Sequence, residues 1–298
     1  MDVHRPDRDI VEIFGYAPND TTNKCRSLWK IGACPFVEIP CVKKNHDSTV
    51  VYGTCSVSSP YGDCVICPNR LYANHFETLK RVAADAFGEI PFYTYAEYIA
   101  HREDAGPFVV ALGMHSGHEV NLNRTCSMDW VLAKVEDQKL TEYTGVEVQS
   151  IDITGNYRDN WYAYKNIQPG KEIPRSEHGM NWANVHKRLM PQIIRKSLIY
   201  ARSSYVRSGL YFIVPDIVYK KFEEIIGDIP LVTEKAPDVI TVHTYQLGRK
   251  KAEGEIREIE PVRSLRFKMQ DFSDRFISGP NLPASTELDD AVRLALGI

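Results

Sequence analysis

Between residues 108 and 151 the chain sets apolar against polar positions in a pattern that predicts strands and turns. Phe108-Val109-Val110-Ala111-Leu112-Gly113 reads as a buried strand ended by glycine, and 118–122 as a short second strand. Ser127-Met128-Asp129-Trp130-Val131-Leu132-Ala133-Lys134-Val135 predicts a strand, and Glu136-Asp137-Gln138-Lys139 a polar turn. The returning strand spans 142–151, with Val146 and Val148 alternating against Glu147 and Gln149. Further on, 181–206 predicts helix in two pieces, because Pro191 lacks the backbone donor that an uninterrupted helix needs there. Gly209 leads into a buried strand, Leu210-Tyr211-Phe212-Ile213-Val214, and 216–226 into another helix. Helical pieces are expected over 74–104, and short strands with charged turns from 227 onward. Residues 1–80 are rich in Cys, Pro, Gly and Asn, lack long helical periodicity, and predict a loop-rich lobe in need of an internal staple. The expected organisation is an N-terminal lobe over 1–80 and a larger domain over 81–298, α/β in class, with a mixed central sheet flanked by helices.

Composition adds limits. At 298 residues, 43% hydrophobic and 25% charged, the chain can bury an ordinary globular core. No apolar run approaches the ~20 residues that cross a bilayer, and the polar N-terminus lacks the apolar segment of a secretory signal. The expectation is a soluble, cytoplasmic protein with no membrane partner. A net charge of −3 argues against a protein that simply coats DNA. Residues 171–210, however, carry eight Lys or Arg against two Glu. Such a stripe fits a DNA-binding cleft, and it fits a solvated helix face equally well.

The hairpin carries the candidate chemistry. With the turn centred between Asp137 and Gln138, Glu147 falls opposite Met128, and a shift of one residue in register brings Asp129 opposite Glu147. Directly opposed residues have Cβ atoms about 5 Å apart, so two carboxylates there repel unless a proton or a cation lies between them. Oxygen ligands suit Mg²⁺. Gln149 shares the face of Glu147 and could orient a water or touch a phosphate. The chemistry this suggests is phosphodiester hydrolysis; the plain alternative is an exposed hairpin face with ordinary polar side chains.

Six of the seven cysteines fall between residues 25 and 67, and in a chain without an export signal such clustering points to a metal site before disulfides. Four thiolates suit Zn²⁺ or a single iron. The spacing fits no standard finger, and the Cys64-x-x-Cys67 pair leaves the choice of ligands open.

Asp129, followed after a turn by Glu147-Val148-Gln149, resembles the nuclease pattern of an acid and then acid-x-Lys, with Gln in the place of Lys. The segments 128–133 and 146–152, Asn181-Trp182-Ala183-Asn184-Val185-His186-Lys187-Arg188-Leu189, and Gly209-Leu210-Tyr211-Phe212-Ile213-Val214-Pro215 resemble type II restriction endonucleases of the NotI kind, with matches from about residue 10 to about residue 290. The resemblance implies a restriction-endonuclease-like fold and Mg²⁺-dependent cleavage of double-stranded DNA by a homodimer. It also implies a GC-rich palindrome, CGGCCG, as the site, and a companion DNA methyltransferase in the same prokaryotic cell. Asp129 and Glu147 would hold Mg²⁺, Gln149 would replace the Lys, and Glu119 in Gly117-His118-Glu119-Val120 would be a third acid. The family pattern selects Cys34, Cys41, Cys55 and Cys67 as ligands of a structural iron (or zinc), which leaves Cys25, Cys64 and Cys126 as free thiols. Arg158, Asp159, Arg175, Lys187, Arg188, Arg195 and Lys196 are the candidates for DNA contact. Two rivals stand beside this reading: a four-cysteine protein that binds DNA without cutting it, and an electron-transfer protein with iron in the thiolate site.

Overall fold

The computed structural model describes residues 8–123, 126–168, 171–280 and 282–298, and within them not the side chains of residues 122, 123, 126 and 186. The side chain of Cys126 therefore lies outside the described residues. Strands β1 (Ile10–Ile13), β2 (Thr54–Ser59) and β3 (Gly62–Val65) make a small antiparallel sheet, with helix α1 (Asn23–Ile31) between the first two in sequence. A 3-10 turn, Pro68–Tyr72, leads into helix α2 (Ala73–Phe87), whose first residues, 74–76, have left-handed φ. Strand β4 (Phe92–Thr94), helix α3 (Tyr95–His101) and strand β5 (Phe108–Gly113) follow. The short pair β6 (Asn121–Asn123) and β7 (Cys126–Ser127) precedes the hairpin of β8 (Trp130–Glu136) and β9 (Lys139–Val148). Next come β10 (Ile153–Thr154), α4 (Arg158–Lys165), β11 (Gly179–Met180), α5 (Met190–Ala201), β12 (Leu210–Pro215) and α6 (Asp216–Ile226). The chain closes with β13 (Val239–Leu247), β14 (Ile259–Lys268), α7 (Met269–Ser278) and α8 (Ser285–Leu296).

Seven strands form the central sheet in the order β14-β13-β12-β9-β8-β5-β4. It is mixed: β12 lies parallel to both β9 and β13, while β8–β9, β5–β8 and β13–β14 are antiparallel. β12 sits at the centre and is buried at all six positions, as expected of a strand covered on both faces. Leu210, Phe212 and Val214 pack with residues of α5, α6 and α7, whereas Tyr211 and Ile213 pack with α2. The molecule is thus a three-layer α/β arrangement, and none of its described helices is long and apolar enough to cross a membrane.

The N-terminal lobe is expected to end at residue 80. That boundary falls inside α2, and the lobe borrows its core from distant sequence. Trp161, Tyr164 and Ile173 are buried with Ile10, Ile13, Phe14 and Tyr16. The Asp9 carboxylate accepts from Asn160 Nδ2 (2.9 Å) and from the Tyr164 hydroxyl (2.6 Å), and Trp161 Nε1 donates to the Tyr52 carbonyl (2.8 Å). A loop-rich segment without enough apolar residues of its own closes its core with α4.

Two expectations need correction. Residues 118–122 are not a strand: His118 makes one isolated bridge to Gly113, and the strand begins at Asn121. The tail is not a set of short strands but two long ones and two helices. The predicted break at Pro191 takes the form of a widened π-type turn, Val185–Leu189, with Pro191 in the first turn of α5. The missing N–H and the ring's clash with the preceding turn account for that widening.

His243 on β13 is buried, and burial, with help from Arg266 and Arg81 against Asp85, pushes its imidazole down to about 4. A histidine depressed in the fold stabilises fully above its unfolded value near 6.5 and loses that contribution as pH falls towards 4. We expect His243→Gln to remove part of the loss of stability between pH 6.5 and 4, up to about 3 kcal/mol, seen as a smaller fall in thermal midpoint. An unchanged pH profile in differential scanning calorimetry would count against this assignment.

Candidate active site and cysteine cluster

The β8–β9 turn is tight. Asp137 and Gln138 both take positive φ, 50° and 58°, the two-residue geometry that matches strand twist. From this turn the pairing runs Glu136↔Lys139 and Val135↔Leu140, then shifts by one residue between Lys134 and Val135 and continues from Lys134↔Glu142 to Trp130↔Val146. This bulge supplies the one-residue shift on which the pairing of the acids depends. Continuing it brings Asp129 beside Glu147. The Asp129 Oδ2 accepts from the Val148 N–H (3.0 Å) and from Gln149 Nε2 (3.4 Å), and the Asp129 N–H points at Glu147 Oε1 (3.5 Å).

Strand alternation then decides what Glu147 meets. Val146 and Val148 face α2, so Gly145 and Glu147 face α5. A Cβ at Gly145 would run into the Tyr200 ring, so the glycine lets α5 lie close to the sheet. One turn before Tyr200, Lys196 reaches down and its Nζ bonds Glu147 Oε2. Burial first, and the Asp129 charge second, push the Glu147 carboxyl up to about 8, with Lys196 opposing. Lys196 answers Glu147 alone, and no printed contact ties it to Asp129, so the two acids lie side by side with one lysine on one of them. This suits a hard divalent cation held by Asp129 and Glu147. Tyr72 borders the pair: its hydroxyl accepts from Trp130 Nε1 (3.0 Å), and burial, then Asp129, push the phenol far up.

The structure therefore joins Asp129, Glu147 and Gln149 as the sequence suggests, and it adds Lys196. Lys196 is corrected from a DNA-facing residue to a buried partner of the acid pair. Arg158, Asp159, Arg175, Lys187, Arg188 and Arg195 are exposed. Glu119 is half-buried in the loop after the Met114–Ser116 turn, and no described contact ties it to Asp129 or Glu147. Lys196 stands 49 residues from Glu147 in sequence. The one available signal was its place beside Ile193 and Tyr200 on the buried face of α5.

The six described cysteines are buried and unbridged. Cys34, Cys41, Cys55 and Cys67 sense one another: Cys67 and Cys34 raise both Cys41 and Cys55, and Cys34 raises Cys67, each after the larger effect of burial. Cys64 and Cys25 stand outside this set. Cys64 is packed in the main core and senses Asp63, while Cys25 senses Asp20 and Arg26. Backbone N–H groups approach the set's sulfurs from Phe36 and Val37 at Cys34, from Lys43 and Gly53 at Cys41, and from Asn69 and Arg70 at Cys67. Donors aimed at sulfur favour thiolate, while burial without a cation holds the groups neutral, Cys41 at about 11. The donor chemistry fits Zn²⁺ or iron. As the side chains are arranged, no group of three or more His, Cys, Asp or Glu among the described residues forms a ready metal cage.

Beside the cluster, Arg70 and Glu12 make a fully buried bidentate pair (Nε–Oε2 3.0 Å, Nη2–Oε1 3.0 Å), to which Ser56 Oγ adds a third bond at 2.8 Å. Removing one partner would leave a buried charge uncompensated, so Arg70 is a structural anchor for the turn that follows Cys67.

No family model and no curated protein matches the chain.

Proposed function

We propose that the chain is a type II restriction endonuclease of the NotI kind, which hydrolyses both strands of a GC-rich palindrome in double-stranded DNA with Mg²⁺. The observation that carries this reading is the meeting of Asp129 and Glu147 at the open end of one hairpin, with Gln149 and Lys196 against them. A seven-stranded mixed sheet with helices on both faces is compatible with the restriction-endonuclease-like fold. The segments 151–157, 181–196 and 279–283 resemble those of EagI, which makes CGGCCG the proposed site. A two-fold sequence calls for a two-fold protein, hence a homodimer.

Asp129 and Glu147 would hold Mg²⁺, which when bound supplies Lewis acidity towards the phosphoryl group and towards water. Gln149 is neutral and cannot take a proton near pH 7; its amide, fixed by Asp129, orients what enters the site. Lys196 keeps Glu147 in place and sets a positive charge beside the negative phosphate. Cys34, Cys41, Cys55 and Cys67 would hold iron or zinc as a structural staple for the N-terminal lobe. A companion methyltransferase would protect the host's own sites, and the enzyme would work in a prokaryotic cytoplasm.

The test is a digest of plasmid and of long natural DNA with Mg²⁺, with and without EDTA, followed by sequencing of the ends. Discrete fragments with ends at one palindrome support the reading; intact DNA in Mg²⁺ from pure, folded protein rejects it. Lys196→Met should slow cleavage at pH 7 by roughly tenfold to a hundredfold and move the pH–rate profile to higher pH. Without the lysine the Glu147 carboxyl keeps its proton further up the scale. A slower enzyme with an unmoved profile would mean that Lys196 serves packing alone.

A further inference from the structure

Past the acid pair, the end of β9 opens into a cleft of about 220 Å³. One wall is 149–152, beginning two residues after Glu147, and a second is Asn184, which caps the π-type turn, Arg188 within it, and Gln192 from α5, the helix that carries Lys196. The third wall comes from the cysteine-bearing lobe, through Lys43 and Pro68. The cleft is smaller than the roughly 300–1,000 Å³ typical of pockets that enclose a whole small molecule, so it suits one small charged group. Two cations border it, Lys43 and Arg188, and neither makes a salt bridge among the described residues. Its one carboxylate, Asp152, already accepts from Asn184 Nδ2 at 2.9 Å.

We propose that this cleft binds a backbone phosphate of the duplex close to the phosphate that is cut, and that Lys43 brings the cysteine lobe into direct contact with DNA. The inference rests on the nuclease reading above. Lys43 is held for this task by its own backbone. Its N–H approaches the Cys41 sulfur, and its carbonyl accepts from the N–H groups of Tyr52 (2.8 Å) and Gly53 (3.3 Å). Whatever fixes the Cys41 sulfur fixes the lysine. Arg188 lies in the π-type turn that runs directly into α5, so one continuous helical segment carries the residue that holds Glu147 and the residue that would hold the neighbouring phosphate.

Lys43→Gln, Arg188→Gln and, as a control at the far end of the hairpin, Lys139→Gln test this by fluorescence anisotropy with Ca²⁺ in place of Mg²⁺. The probes are a labelled duplex centred on CGGCCG and a scrambled duplex, each titrated from 50 to 200 mM salt. Each lost phosphate contact lowers the salt slope by about one. Lys43→Gln and Arg188→Gln should therefore bind both duplexes more weakly, with a deficit that shrinks about threefold across the salt range, while Lys139→Gln matches wild type. Wild-type slope and affinity in both cleft variants, or a deficit confined to the CGGCCG duplex, would overturn the phosphate assignment. Wild-type protein that binds neither duplex would overturn the nuclease reading instead. Unchanged metal content and thermal midpoint in Lys43→Gln separate lost contact from a damaged lobe, and Arg188→Gln lies outside that lobe.

Discussion

Asp129→Asn and Glu147→Gln should bind duplex DNA at least as tightly as wild type and cut it more slowly by at least roughly a hundredfold to a thousandfold. On the nuclease reading the two effects separate because the acids would stand where the phosphate enters. Neutralising one removes repulsion from the polyanion, which favours binding, and removes half the ligand set for the cation, which stops hydrolysis. The amide variants are preferable to alanine for a physical reason. Glu147→Ala would strand the Lys196 ammonium in the interior, a loss of about 3–5 kcal/mol, and Asp129→Ala would take the acceptor from the Val148 N–H. Gel-shift assays in Ca²⁺ and digests in Mg²⁺ on the same preparations check both halves. Full cleavage by either variant would mean that the active site lies elsewhere.

The second large effect is expected at the thiols. On the proposed ligand set, Cys41→Ser and Cys55→Ser should lose the metal and several kcal/mol of stability, because a closed metal site adds its binding free energy to folding. Cys64→Ala and Cys25→Ala should keep the metal and show only the modest loss expected from deleting a small buried side chain. Metal analysis by inductively coupled plasma mass spectrometry and thermal melts give both readings. Retention of metal in Cys41→Ser, or its loss in Cys64→Ala, would show the ligand set to be wrong. Where iron is found, refolding with zinc separates a structural from an electron-transfer role: retained cleavage leaves no need for redox chemistry.

The hairpin was legible in the sequence because its signals are local. A polar turn and two apolar alternations mark the two strands and put Glu147 within one residue of facing Asp129, and the structure pairs the strands so. The bulge between Lys134 and Val135 was not legible, since neither residue type demands it, and only the register it sets aligns Asp129 with Glu147. The place of Lys196 at the acid pair was not legible, because a lysine beside Arg195 on a helix fits a DNA contact or a solvated face; its direction follows from the packing of Tyr200 on Gly145, a contact between distant segments. β14 was lost among charged residues because it is an edge strand. Its exposed positions, Pro261 among them, are the ones an edge tolerates and a central strand does not. The lobe's core is completed by Trp161 and Tyr164, which no nearby sequence announces.

Between Cys67 and Trp130 the path is short: the five residues Pro68–Tyr72, then one hydrogen bond from the indole to the phenol, with Asp129 next in line. A tether so brief carries no slack. Adding a single residue to it would turn Tyr72 away from Trp130 while leaving every thiol and every acid in the chain. On the proposed reading such an insertion mutant would hold the lobe's metal and still fail at the hairpin, so that the lobe would act as an architectural strut for the acid pair rather than as an exchangeable cartridge.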